Sequence, residues 1–60
     1  MRSRDLIKLM IDAGWKLKRT KGSHHQFYHS DFNFVVTVPH PKKDLGKGLV
    51  AAIKKQARLK

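Results

Sequence analysis

The apolar positions of this chain change period twice, and the changes divide it into five elements. Leu6, Ile7, Met10 and Ala13 recur at helical spacing, with Asp5, Lys8 and Asp12 on the other side, as in a helix that buries one stripe. Ser3 suits the N-cap, Asp5 the first turn and Gly14 the left-handed position after the last turn, so the pattern predicts a helix over about 3–13. From Trp15 the period is two: Trp15 and Leu17 alternate with Lys16 and Lys18, which reads as a half-buried strand. Lys21-Gly22-Ser23 makes a tight turn into a second strand from about His24 to His29. Ser30, Asp31 and Asn33 supply the turn chemistry before a third strand. That strand, Phe34 to Val38, is rich in β-branched residues and stops at Pro39. Pro39-His40-Pro41 is stiff and extended, Lys42 to Gly48 reads as a loop, and helical spacing returns from about Leu49 to Leu59.

The order helix, three strands, helix predicts an α+β fold. Two short connections imply an antiparallel three-stranded meander, and the two helices can cover one face of it and leave the other open. This α-β-β-β-α order is the layout of a double-stranded-RNA-binding domain (dsRBD-like). Sixty residues make one domain, 1–60, with a compact core and modest stability. The open face of the sheet is then the expected working surface.

Charge narrows the function further. Fourteen Lys and Arg stand against four acidic residues, all of them Asp, for a formal net charge of +10. A surface so basic favours a polyanionic partner, with RNA or DNA first and an acidic protein as the alternative. The apolar stretch Leu6–Ile11 is broken by Lys8, too short and too charged for a signal or membrane span. With no cysteine, disulfides, thiolate nucleophiles and Cys-based zinc sites are all excluded. The expectation is a cytoplasmic protein.

Histidine is the side chain best suited to proton transfer at neutral pH, and there are four: His24, His25, His29 and His40. If Phe27 points into the core, alternation puts His25 and His29 on its face and turns His24, Gln26 and Tyr28 to the open one. His25 and His29 are four residues apart, roughly 13 Å along a strand, and no His-Glu-x-x-His motif exists without Glu. No metal or other cofactor is expected. Ser23 and Ser30 are turn serines outside any Gly-x-Ser-x-Gly context, and Gly46-Lys47-Gly48 lacks the spacing of a phosphate loop.

What remains is an imidazole in a basic setting. RNA carries its own nucleophile, the 2′-hydroxyl, so cleavage needs a base, an acid and cations for the phosphorane charge. His24 is the candidate acid–base. Lys21, Gly22, Ser23, Gln26, Tyr28, Lys42, Lys43 and Lys47 are the candidate RNA-binding residues, the lysines as phosphate clamps, Gln26 as a polar group and Tyr28 as a stacking group. His40, between two prolines, is expected to pack or cap its loop. The competing function is a non-catalytic double-stranded-RNA-binding module held by phosphate and 2′-hydroxyl contacts. A basic protein-binding domain with no RNA role ranks below it, and a membrane-active peptide last.

Three stretches then resemble the HicA family. They are Lys21-Gly22-Ser23-His24-His25-Gln26-Phe27, Val38-Pro39-His40-Pro41-Lys42-Lys43-Asp44-Leu45, and the helix segment Lys54-Lys55-Gln56-Ala57. The leading Leu-Ile…Gly-Trp pattern is similar too, so the resemblance spans the chain. It implies a toxin of a toxin–antitoxin pair: an mRNA interferase of dsRBD-like fold, neutralised by a HicB-type antitoxin. The family's catalytic histidine maps onto His24, and Gly22 onto the glycine that shapes the turn. Some members place the key histidine one position later, which makes His25 the second candidate. Two positions depart from the family pattern: Leu49 where Thr is usual after Gly48, and Arg58 where Gly usually follows Ala57.

Overall fold

A computed structural model describes residues 1–59; the last residue of the expected 1–60 domain, Lys60, lies outside the described residues. The elements are α1 (Ser3–Asp12), β1 (Lys16–Lys21), β2 (His24–Tyr28), β3 (Val36–Pro39) and α2 (Lys47–Gln56). The strands form one antiparallel sheet in the order β1-β2-β3. Phe27 from β2 and Val36 and Val38 from β3 are buried with Leu6 and Met10 of α1 and Ile53 of α2. Both helices therefore cover the same face of the sheet, as the alternation implied, and the other face carries none of the core.

Both helices end in the same way. Beyond the Ala13 cap of α1, Gly14 takes φ +101°. Its amide donates to the Ile11 carbonyl, and that of Trp15 donates to Met10. Beyond the Ala57 cap of α2, Arg58 takes φ +59°, its amide donating to Lys55 and that of Leu59 to Lys54. Each is a Schellman ending, in which a left-handed residue lets two amides satisfy the last carbonyls. At Gly14 glycine is needed twice over, because a Cβ there would meet His29 Nε2 at 2.7 Å. Arg58 holds a position where a side chain costs about 1–2 kcal/mol, so the missing glycine noted in the sequence strains the stop without abolishing it. Its guanidinium sits 5.9 Å from the centre of the Phe32 ring, a contact worth about 0.5–1 kcal/mol at an exposed site. The difference predicts that Arg58→Gly raises stability by roughly 0.5–1 kcal/mol, measured as a higher urea midpoint at unchanged slope; a lower midpoint would refute the strain.

The two endings are joined. Trp15, 1% exposed, follows Gly14 directly, and its indole N–H donates to the Ala57 carbonyl at 3.1 Å. Phe32 stacks on the indole at 5.6 Å between ring centres, with Phe34 tilted at 5.9 Å. His29 closes the cluster: it accepts the Asp31 amide on Nδ1 at 3.0 Å and lies 3.1 Å from the Ala13 carbonyl through Nε2.

Several boundaries differ from the sequence reading, each for a physical reason. Ser3 is the first helical residue rather than the N-cap, which is Arg2 with no side-chain bond. Its hydroxyl is spent elsewhere: Oγ accepts the Lys42 amide at 2.9 Å and pairs with His40 Nδ1 at 2.7 Å. Trp15 precedes β1 and His29 follows β2, because both serve the aromatic cluster. β3 begins at Val36 rather than Phe34, since Phe32 and Phe34 turn toward Trp15. β1 is not half-buried: all six of its residues are exposed. Leu17 pairs with Phe27 on the covered face yet is 50% exposed, because this outer strand lies beyond the helices. α2 starts two residues early, at Lys47, with Gly46 as its N-cap and no side-chain cap bond.

Candidate functional site

The open face is assembled by one irregularity in β1. Register runs Lys16↔Tyr28 and Leu17↔Phe27, then skips Lys18 and resumes Arg19↔Gln26, Thr20↔His25, Lys21↔His24. A one-residue slip reverses which side chains share a face. Without it Arg19 and Lys21 would share the covered side with Leu17; with it they join Lys16 beside Tyr28, Gln26 and His24 on the open side. On the other flank Thr37 pairs with Gln26, and Pro39 with His24. His24 thus has Lys21 directly across at about 5 Å and Arg19 on the diagonal at about 7–8 Å, the usual spacings of same-face neighbours.

His24 opens β2 immediately after the Gly22-Ser23 turn and is exposed. Gly22 has φ +59° and nothing within 4 Å of a would-be Cβ. Its need is the two-residue hairpin, which wants glycine at this first central position. Ser23 contributes through its backbone, its carbonyl accepting the His40 amide at 2.7 Å. Gln26 is half-buried and Tyr28 exposed, as neighbours of His24 on the open face.

The other histidines are committed elsewhere. His25 faces the covered side, paired with Val38. Its ring lies edge-on to His40 at 4.8 Å between centres, and its buried Nδ1 has no hydrogen-bond partner among the described residues. His40 packs between that ring and the Ser3 hydroxyl, the loop role expected of it. His29 belongs to the Trp15 cluster.

Of the candidate lysines, Lys21 stands beside His24. Lys42 and Lys43 line a cleft next to His40 and the start of α1, at the same end of the sheet as His24. Lys47 is not brought to the site: it lies in the first turn of α2 and lines a separate groove with Met1, Leu45 and Lys54. Arg19 was missed by the sequence reading, because strict alternation puts it on the wrong face and no residue type in Leu17-Lys18-Arg19 announces the bulge. Among the described residues, no three His or Asp side chains are grouped so as to hold one metal ion. No helix of the described residues is long and apolar enough to cross a membrane.

Comparison with known proteins agrees with this fold. A solved structure described as the "HicA3 and HicB3 toxin-antitoxin complex" is similar over 100% of this chain and 97% of that one, with a TM-score of 0.83 and 38% sequence identity. No curated protein matches the chain. The family described as the HicA toxin of bacterial toxin-antitoxin systems matches residues 3–59. With a match from the first turn of α1 to the Schellman ending of α2, the chain belongs to the HicA toxin family.

Proposed function

We propose that this chain is an mRNA interferase, a metal-independent RNA endonuclease with His24 as its acid–base and a HicB-type antitoxin as its inhibitor. The observation that carries the reading is an exposed imidazole on an open sheet face, flanked by Lys21 and Arg19 through the β1 bulge. The ribose 2′-oxygen attacks the neighbouring phosphorus while His24 takes its proton, and the bond from phosphorus to the 5′-oxygen breaks. The His24 imidazolium so formed returns that proton to the leaving oxygen, and the cations offset the charge on the phosphorane. The products are a 2′,3′-cyclic phosphate and a 5′-hydroxyl. Gln26 and Tyr28 line the path of the strand, Tyr28 offering a face for a base. The partner reading draws on the family and on the similar toxin, whose structure is described as a complex with HicB3. An mRNA substrate places the activity in the cytoplasm.

The test is incubation of the purified protein with single-stranded RNA and with DNA of the same sequence, each in excess EDTA. RNA is expected to shorten and yield cyclic-phosphate ends while DNA stays intact, because only RNA supplies the nucleophile. Intact RNA, or cleavage that EDTA stops, would overturn the mechanism. Intact RNA that is nevertheless bound would favour the non-catalytic RNA-binding module.

A further inference from the structure

Around the end of the sheet from His24, two chain segments form a cleft of about 360 Å³. One wall is Arg2, Ser3 and Arg4; the other is His40, Lys42 and Lys43. The walls are held together by the Ser3 amide on the Lys42 carbonyl at 2.9 Å and by the Ser3 hydroxyl bonds to Lys42 and His40. Four cations therefore share one small concavity. None of the four is in an ion pair among the described residues, and the adjacent carboxylate, Asp44, is taken by the Met1 ammonium at 3.3 Å. Of the first amides of α1, that of Ser3 is engaged with Lys42, and those of Asp5 and Leu6 with Arg2. The attraction for an anion thus comes chiefly from the four charged side chains. Like charges gathered in this way are stabilised by an anion they share, and paired arginines match the oxygens of a phosphate.

The position of the cleft identifies the anion. Pro39 is the strand partner of His24, about 5 Å away, and Lys42 is three residues further, at most about 10 Å along the chain. The Ser23–His40 hydrogen bond fixes this path at 2.7 Å. A strand whose scissile phosphate sits at His24 brings a neighbouring phosphate within reach of the cleft. We infer that the Arg2, Arg4, Lys42 and Lys43 cleft is a second phosphate subsite, gripping the RNA backbone next to the bond cut at His24. The inference rests on the nuclease reading and adds two residues, Arg2 and Arg4, that no reading of the sequence selected.

The experiment measures binding of a single-stranded RNA across a salt series, in His24→Ala protein so that the RNA survives. Arg2→Ala/Arg4→Ala is compared with Lys8→Ala/Lys55→Ala, which removes the same charge from exposed positions outside the cleft. Each lost phosphate contact lowers the slope of log K against log salt by about 0.7 for a single strand. The cleft pair is expected to lose about 1.4 in slope and at least tenfold in affinity, and the control pair much less. Lys42→Ala/Lys43→Ala, from the opposite wall, should repeat the loss, so the result does not hang on one variant keeping its fold. Equal slopes for cleft and control pairs would overturn the subsite while leaving cleavage by the wild type intact. Unchanged RNA binding with weakened capture of the antitoxin would make the cleft a protein contact, which also overturns it. If the parent binds no RNA and the wild type cleaves none, the nuclease reading itself falls.

Discussion

His24→Ala is expected to lose RNA cleavage by a factor of about 10² to 10⁴, the usual contribution of a positioned acid–base, while keeping its fold and its RNA affinity. The separation follows from where His24 sits. Its ring is exposed and makes no hydrogen bond or aromatic contact among the described residues, so its removal leaves no cavity and no orphaned partner. Phosphate affinity comes from lysine and arginine, which the substitution leaves untouched. Expression in growing bacteria, with mRNA integrity followed over time, reads the same effect: arrest and mRNA loss with the wild type, neither with His24→Ala. Undiminished cleavage by the variant would remove His24 from the mechanism. His25→Ala is the informative comparison, because its ring packs against His40 on the covered side. Its expected effect is a lower unfolding midpoint with cleavage retained in the folded fraction.

The largest effect on stability is expected at Trp15. Replacing a buried Trp by Ala costs about 3–5 kcal/mol, and a chain of this size holds only about 3–9 kcal/mol in all. Trp15→Ala also strips Phe32 and Phe34 of the ring they pack on and takes the indole donor from the Ala57 carbonyl. A largely unfolded protein at room temperature is expected, seen as loss of the far-ultraviolet circular dichroism of a helix-containing domain. Trp15→Phe keeps much of the apolar volume and gives up part of the ring together with the N–H, the latter at about 1 kcal/mol, so it should fold with a lower midpoint. An unfolding midpoint for Trp15→Ala within error of the wild type would show that the cluster does not carry the core.

What the sequence made legible was whatever a local rule governs. α1 could be read because its apolar stripe and Gly14 follow from helix geometry, and the Gly22 turn because a two-residue hairpin demands such a residue. The face of His24 followed from Phe27 being the buried member of the pair. The remainder depends on partners distant in the chain. Ser3 looks like a cap until His40 and Lys42, 37 and 39 residues on, claim its hydroxyl. Alternation shows which way Leu17 points but not that the helices stop short of it. The bulge at Lys18 adds one residue to one strand, leaving no trace in composition or period, and with it Arg19 moves to the site. Lys47 was misplaced because two flanking glycines made a loop of what became the first turn of α2.

β1 has a neighbour on one side only, so its outer row of amides and carbonyls is open to any extended chain that approaches. Such an edge is where proteins join into ladders of strands and precipitate. Here Lys16, Lys18, Arg19 and Lys21 crowd six residues, and a second copy arriving edge to edge would set cation against cation. The lysine-rich strand therefore opposes pairing between copies of the chain, and neutralising its charge removes that barrier to self-association. Concentrated preparations should accordingly be most prone to aggregate when salt or a substoichiometric polyanion screens this strand.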